Sequence, residues 1–227
     1  RINQEVLRID RSNKQVEIRN QHDGKQYTET YDQLILSPGA EPFRPPVDGI
    51  QSKRIFTLRS VPDMDAIESF IVQNKPSRAV IVGAGYIGLE MAENLRDRGL
   101  LATVVELAPS VLPAALDPEM AWYVQSHLEE KGVALWLDDA VSAFEDIGVG
   151  LIVKLKSAAT LRCDFAILSA GVKPEVKLAK EAGLAIGSRG GIEVNSFLQT
   201  SDPDIYAIGD AIEVQNPVIQ QPALIPL

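Results

Sequence analysis

Gly83, Gly85 and Gly88 stand at the spacing Gly-x-Gly-x-x-Gly, directly after the apolar run Ala79-Val80-Ile81-Val82 and before a segment with apolar Leu89, Met91, Ala92 and Leu95. A glycine repeat alone is weak evidence, because glycine-rich turns serve many purposes. Between a strand and a helix it predicts an anion-binding turn. Gly83 permits the tight turn, Gly85 lets the backbone approach a diphosphate, and Gly88 lets helix and sheet pack closely. The diphosphate would rest on N–H groups at the positive end of the helix, with Ala84, Tyr86 and Ile87 completing the loop. Glu106 follows Gly88 by eighteen residues and ends the strand-like run Ala102-Thr103-Val104-Val105. A carboxylate there can accept hydrogen bonds from a ribose diol and repels a 2′-phosphate. Leu107, Ala108, Pro109 and Ser110 supply no arginine to neutralise such a phosphate. The expected ligand is a nicotinamide dinucleotide, NADH rather than NADPH.

The elements that must hold these residues are legible around them. Alternating segments at Glu5–Asp10, Gln15–Arg19 and Gln26–Thr30, separated by polar turns, predict a three-stranded meander. Gln33–Ser37 reads as a short buried strand ending at Pro38-Gly39, and a crossing with Pro42, Pro45 and Pro46 excludes regular structure. From Ser60 the pattern turns to α/β, with a helix over Asp63–Gln73 and strands at Ala79–Val82 and Ala102–Glu106. A helix opens at Asp117-Pro118 and stops at Gly132. Strands follow at Val133–Leu137, Val141–Glu145, Leu151–Lys156 and Asp164–Ser169. Beyond Gly171 a helical stretch over Glu175–Ala182 leads to short strands at Ile192–Val194 and Ile205–Ile208. Strand-then-glycine endings recur at Gly39, Gly83, Gly171 and Gly209.

The 227 residues suffice for one large or two small domains. A net charge of −9 and a pI near 4.8 argue against a nucleic-acid partner. No apolar run approaches the ~18 residues of a membrane span. The single Cys163 excludes an internal disulfide or a CxxC pair, and its apolar neighbours suggest a packed thiol. His22 in a turn and His127 on a helix have no evident partner for base catalysis, and no metal site is expected. The opening at Arg1, without Met and directly in a strand pattern, reads as the middle of a longer protein.

Val80 to Glu90 (VIVGAGYIGLE) resembles the NADH-domain signature of the FAD-dependent pyridine nucleotide–disulfide oxidoreductases. The nearest branch is the single-cysteine one of coenzyme A-disulfide reductases, NADH oxidases and peroxidases, and persulfide reductases. Leu36 to Pro42 (LSPGAEP) and Ser169 to Pro174 (SAGVKP) are similar to the family's two crossover motifs, and Thr200 to Asp210 (TSDPDIYAIGD) to its second FAD motif. The resemblance implies an α/β fold. Its dinucleotide-binding domain would be Rossmann-like and three-layered, with a parallel sheet, helices on one face and a β-meander on the other, beside a partial FAD-type domain. It implies FAD-domain segments at 1–58 and 173–227 around an NADH domain at 59–172. It assigns Tyr86 as a nicotinamide gate, Glu90, Gly171 and Val172 to the nicotinamide end, and Gly39, Gly209 and Asp210 to FAD.

The family's N-terminal FAD glycine loop and its redox cysteine are not in this sequence. The function implied is therefore the NADH-binding portion of an enzyme that passes hydride from NADH to FAD and on to a disulfide or persulfide such as coenzyme A disulfide, this portion alone being inactive. Alternatives are an NADH oxidase or peroxidase, a ferredoxin-reductase-type enzyme, or an NADH-binding module without turnover. The implied setting is cytoplasmic, and the implied assembly of full-length relatives a homodimer.

Overall fold

Residues 78–82 alternate in the direction of their side chains, as a strand must, yet every one from Ala79 to Val82 is buried. A strand covered on both faces belongs to the middle of a layered structure. In the computed structural model, which describes residues 1–225, Arg78–Val82 is the central strand of a five-stranded parallel sheet. The spatial order is Ile55–Thr57, Phe165–Leu168, Arg78–Val82, Leu101–Val105 and Ala134–Trp136. Ala79, Ile81, Ala102, Val104, Phe165 and Ile167 face one core, shared with Ile67, Ala92, Leu95 and Ala121 of three helices. These are α1 (Val61–Asn74), α2 (Tyr86–Asp97) and α3 (Pro118–Glu130). Val80, Val82, Val105, Ala166 and Leu168 face a second core, against Val141, Phe144, Leu151, Val153 and Leu155. Those residues come from an antiparallel meander of Val141–Asp146, Leu151–Leu155 and Thr160–Cys163. The three layers are those expected. The third meander strand, Thr160–Cys163, was not separable in sequence from the strand that follows it at once.

Local chemistry fixes the helix ends. Asp63 accepts from the backbone N–H and the hydroxyl of Ser60, both at 2.8 Å, closing the first turn of α1. Pro118 opens α3 behind Asp117, and Gly132 (φ +78°) ends the turn that follows it.

The chain divides into two compact units, residues 42–172 and residues 1–41 with 173–227; Pro226 and Leu227 of the expected 173–227 segment lie outside the described residues. Residues 42–58, expected with the first segment, pack in the 42–172 unit. Ile55–Thr57 is an edge strand of its parallel sheet, Asp48 bridges Ala143, and Ile50 enters the meander core. The other unit contains the expected N-terminal meander, Gln4–Asp10, Gln15–Asn20 and Gln26–Thr30. Leu34–Leu36 pairs in parallel with Ile205–Ala207. That strand is only partly buried, since Ile35 is 63% exposed. The helical stretch is confined to Lys177–Glu181, and two further strands, Ile212–Gln215 and Pro222–Ala223, have no clear alternation in sequence. Arg11 binds the Asp202 carboxylate at 2.6 Å and the carbonyls of Ala182 and Gly183.

Candidate functional site

The loop after Arg78–Val82 has three glycines with three different physical reasons. Gly83 has φ +108°, and a Cβ there would overlap the Ser169 carbonyl oxygen. A Cβ on Gly88 would overlap the Gly83 carbonyl oxygen and stand 2.7 Å from Ser169 Oγ. Both positions require glycine for the protein's own geometry. Gly85 does not: its backbone is extended (φ −76°, ψ −178°), and a Cβ would meet nothing within 4 Å. Its bareness leaves open space beside the N-terminus of α2, where no side chain caps the helix. Uncapped N–H groups facing open space are what a diphosphate needs.

Tyr86 begins α2 with 69% of its surface exposed, and Ile87 is also exposed. Glu90 lies one turn on, on an exposed position of the same helix. Ala84 is fully buried; its N–H donates to Glu106 at 2.7 Å and its carbonyl accepts from Leu112 N–H at 2.9 Å. Its whole peptide is used inside the protein.

Glu106 follows the strand Leu101–Val105 and is half-buried. One carboxylate oxygen accepts from Ala84 N–H at 2.7 Å, the other from Ala108 N–H at 2.8 Å. A carboxylate has about four acceptor sites, so two are left for a diol. The backbone around it is tied down as well. Glu106 N–H donates to the Trp136 carbonyl at 2.8 Å, Asp139 N–H to the Glu106 carbonyl at 3.1 Å, and Asp138 N–H to the Ala108 carbonyl at 2.9 Å. Asp139 is itself buried and accepts from the Ser157 hydroxyl at 2.5 Å. That hydroxyl holds its carboxyl below the usual range against the opposing effect of burial.

Gly171 (φ +94°) and Val172 follow Phe165–Leu168 and are exposed. In the other unit, Gly39 and Gly209 both have φ +75° and follow the paired strands Leu34–Leu36 and Ile205–Ala207. Asp210 is the middle residue of the single turn Gly209–Ala211. Cys163 is buried and its thiol is pushed up to about 12, chiefly by burial. His22 and His127 are exposed, and His22 Nε2 lies 2.7 Å from Asn3 Nδ2. Among the described residues no group of three His, Cys, Asp or Glu side chains could hold a metal, and no helix is long and apolar enough to cross a membrane.

Two contributors hold the loop in ways the sequence does not announce, Ser169 being legible there only as a strand end and the start of a crossover motif. Ser169 donates its hydroxyl to the carbonyls of Val82 (3.0 Å) and Gly83 (3.1 Å), bracing the loop from the neighbouring strand. Leu112, at φ +48°, turns its N–H onto Ala84.

The family model described as pyridine nucleotide-disulphide oxidoreductase matches residues 1–226. An NADH oxidase of Methanocaldococcus jannaschii is 41% identical over 210 residues, covering 92% of this chain and 46% of that protein. A crystal structure of reduced Bacillus anthracis CoADR-RHD is 49% identical with a TM-score of 0.93, covering 99% of this chain and 40% of that one. A FAD-dependent pyridine nucleotide-disulphide oxidoreductase from Desulfovibrio vulgaris is 36% identical with a TM-score of 0.87, covering 99% of this chain and 57% of that one. The chain thus spans about half the length of these relatives. With a matching model over nearly every residue, and the glycine loop and acid in the geometry described, the chain belongs to the pyridine nucleotide-disulphide oxidoreductase family.

Proposed function

We propose that residues 42–172 bind NADH as the electron-donor portion of an FAD-dependent oxidoreductase. The observation that carries this reading is the pairing of an uncapped helix N-terminus, kept open by Gly85, with the aimed carboxylate of Glu106. The first suits a diphosphate and the second a ribose diol. When bound, NADH supplies a hydride and FAD accepts it. The chain's own residues bind and orient. Glu106 selects the ribose, and the α2 N-terminus carries the diphosphate. Tyr86 moves aside to admit the nicotinamide, whose end Glu90, Gly171 and Val172 line. In the second unit, Gly39, Gly209 and Asp210 take part in FAD binding: the glycines end neighbouring strands, and a short acid beyond Gly209 can accept hydroxyl hydrogen bonds.

For the whole protein, the acceptor proposed is a disulfide or persulfide such as coenzyme A disulfide. The similarity to CoADR-RHD supports that branch, and the NADH oxidase relative keeps oxygen as the alternative acceptor. A homodimer in the cytoplasm, where NADH serves as reductant, completes the reading. Equilibrium titration with NADH and NADPH tests its centre. NADH is expected to bind at least about tenfold more tightly, the loss of one favourable charge contact. Equal affinities would remove Glu106 as the selecting group, and no binding of either would remove the site.

A further inference from the structure

Glu106 is placed so that both carboxylate oxygens are already held before any ribose arrives. Its partners are the backbone N–H groups of Ala84, inside the glycine loop, and of Ala108, in the turn that follows Glu106 itself. Ala84 is fully buried, and its carbonyl is taken by Leu112 N–H. Leu112 lies in the segment leading away from Glu106, beside fully buried Val111. The segment 106–112 therefore encloses Ala84 from both sides: Gly83 N–H is held by the Val105 carbonyl at 2.8 Å, and the acceptor of the next N–H, that of Ala84, is the Glu106 side chain.

We infer that Glu106 is a positioning residue for the phosphate loop as well as the reader of the ribose, so that the two halves of dinucleotide recognition are coupled through one carboxylate. This rests on the NADH reading proposed above and deepens it. The physical case is one of satisfaction. Without Glu106 the Ala84 N–H is buried with no acceptor, and a buried donor that loses its partner drives the backbone to find another. Val82 and Gly83 stay pinned by Ser169 and the Val105 carbonyl, so the available change is a rotation at Ala84–Gly85, which carries the bare Gly85 and leads into the N-terminus of α2. The diphosphate cradle would then lose its shape even for a ligand that never touches Glu106. A second consequence concerns specificity. Replacing Glu106 by a basic residue alone removes the repulsion of a 2′-phosphate and simultaneously unlatches the loop, so the gain for NADPH is smaller than the charge change predicts.

The test compares ADP with 2′,3′-dideoxy-ADP, which keeps the adenine and diphosphate but lacks the diol. Both are titrated against the wild-type chain, Glu106→Ala and Glu106→Gln, after thermal melts confirm that each variant is folded. If the carboxylate latches the loop, Glu106→Ala weakens dideoxy-ADP by about tenfold, the effect of one lost charge-assisted hydrogen bond. Glu106→Gln, which keeps one carbonyl oxygen and can satisfy one of the two donors, falls between. Amide hydrogen exchange at Ala84 and Ala108 should accelerate in the same order, which gives a readout independent of ligand. Unchanged dideoxy-ADP affinity in Glu106→Ala, or unchanged exchange at Ala84, overturns the latch while leaving the ribose reading intact. Wild-type failure to bind ADP or NADH at all would instead overturn the NADH site. Should Glu106→Ala not fold, the same exchange and dideoxy-ADP measurements on Glu106→Leu, which fills the side-chain space without offering an acceptor, decide the matter.

Discussion

Glycines that look identical in the motif differ in what they answer to. Gly88 faces protein atoms, so Gly88→Ala is an overpacking change and should destabilise the fold by about 1–3 kcal/mol in a denaturant titration. Gly85 faces open space with an ordinary backbone. Gly85→Val should therefore leave the melting temperature nearly unchanged while lowering NADH affinity tenfold or more. Equal losses of stability at both positions would show that Gly85 also serves packing. Cys163 makes the opposite point about a residue that invites a chemical role. Its thiol is buried and raised to about 12, so thiolate is scarce at pH 8. Labelling by a thiol reagent at that pH should be negligible in the native chain and prompt after unfolding in denaturant.

Elements explain why the site residues hold still. The parallel strands end together, and the loops leaving them are stitched by backbone bonds: Gly83 N–H to the Val105 carbonyl, Glu106 N–H to the Trp136 carbonyl, and Ser169 N–H to the Val82 carbonyl. The turn at Asp139 carries this stitching over to the meander, since its N–H holds the Glu106 carbonyl while its carboxylate holds Ser157. Because the folded-state carboxyl of Asp139 titrates below its ordinary value, its stabilising effect is complete above about pH 4, the unfolded value. It is lost as the pH falls through the lower folded one. Asp139→Asn should accordingly be less stable than wild type at neutral pH, and the gap should narrow in acid. A gap independent of pH would mean that the charge is not what the turn uses. Legibility at this scale was uneven. Four of the five parallel strands and α2 were readable because a continuous apolar run and a helical period are strong signals, whereas the edge strand Ile55–Thr57, only three residues long, was not. Thr160–Cys163 was not, since only Asp164 separates it from the next strand. Ile212–Gln215 was not either, because its buried Glu213 breaks the apolar pattern, accepting from Arg189 N–H at 2.7 Å and from the Ser188 hydroxyl at 3.2 Å.

At the scale of the molecule, the two units divide the proposed cofactor residues cleanly. Every residue proposed for NADH falls in 42–172, and every residue proposed for FAD falls in 1–41 with 173–227. A ligand that binds only the folded state stabilises by about 2.7 kcal/mol at a hundredfold excess over its Kd. NADH at that excess should slow hydrogen exchange in peptides spanning 79–90 and 101–112, and FAD in peptides spanning 34–41 and 205–213. Protection in the reverse order would overturn the division. What the sequence determined by itself was the local and periodic part: a strand, a glycine turn, a helix and an acid at fixed spacing, each with its own composition. The same holds for the alternation that sends Ile81 to the helices and Val82 to the meander. What only the tertiary structure decided was everything carried by the backbone across long distances in the chain. Residues 42–58 joined the 42–172 unit through pairing with strands more than eighty residues away. Glu106, legible as a ribose reader, proved to be held by the N–H groups of Ala84 and Ala108. Every residue except proline has such an N–H, so no choice of side chain announces which of them a carboxylate will meet.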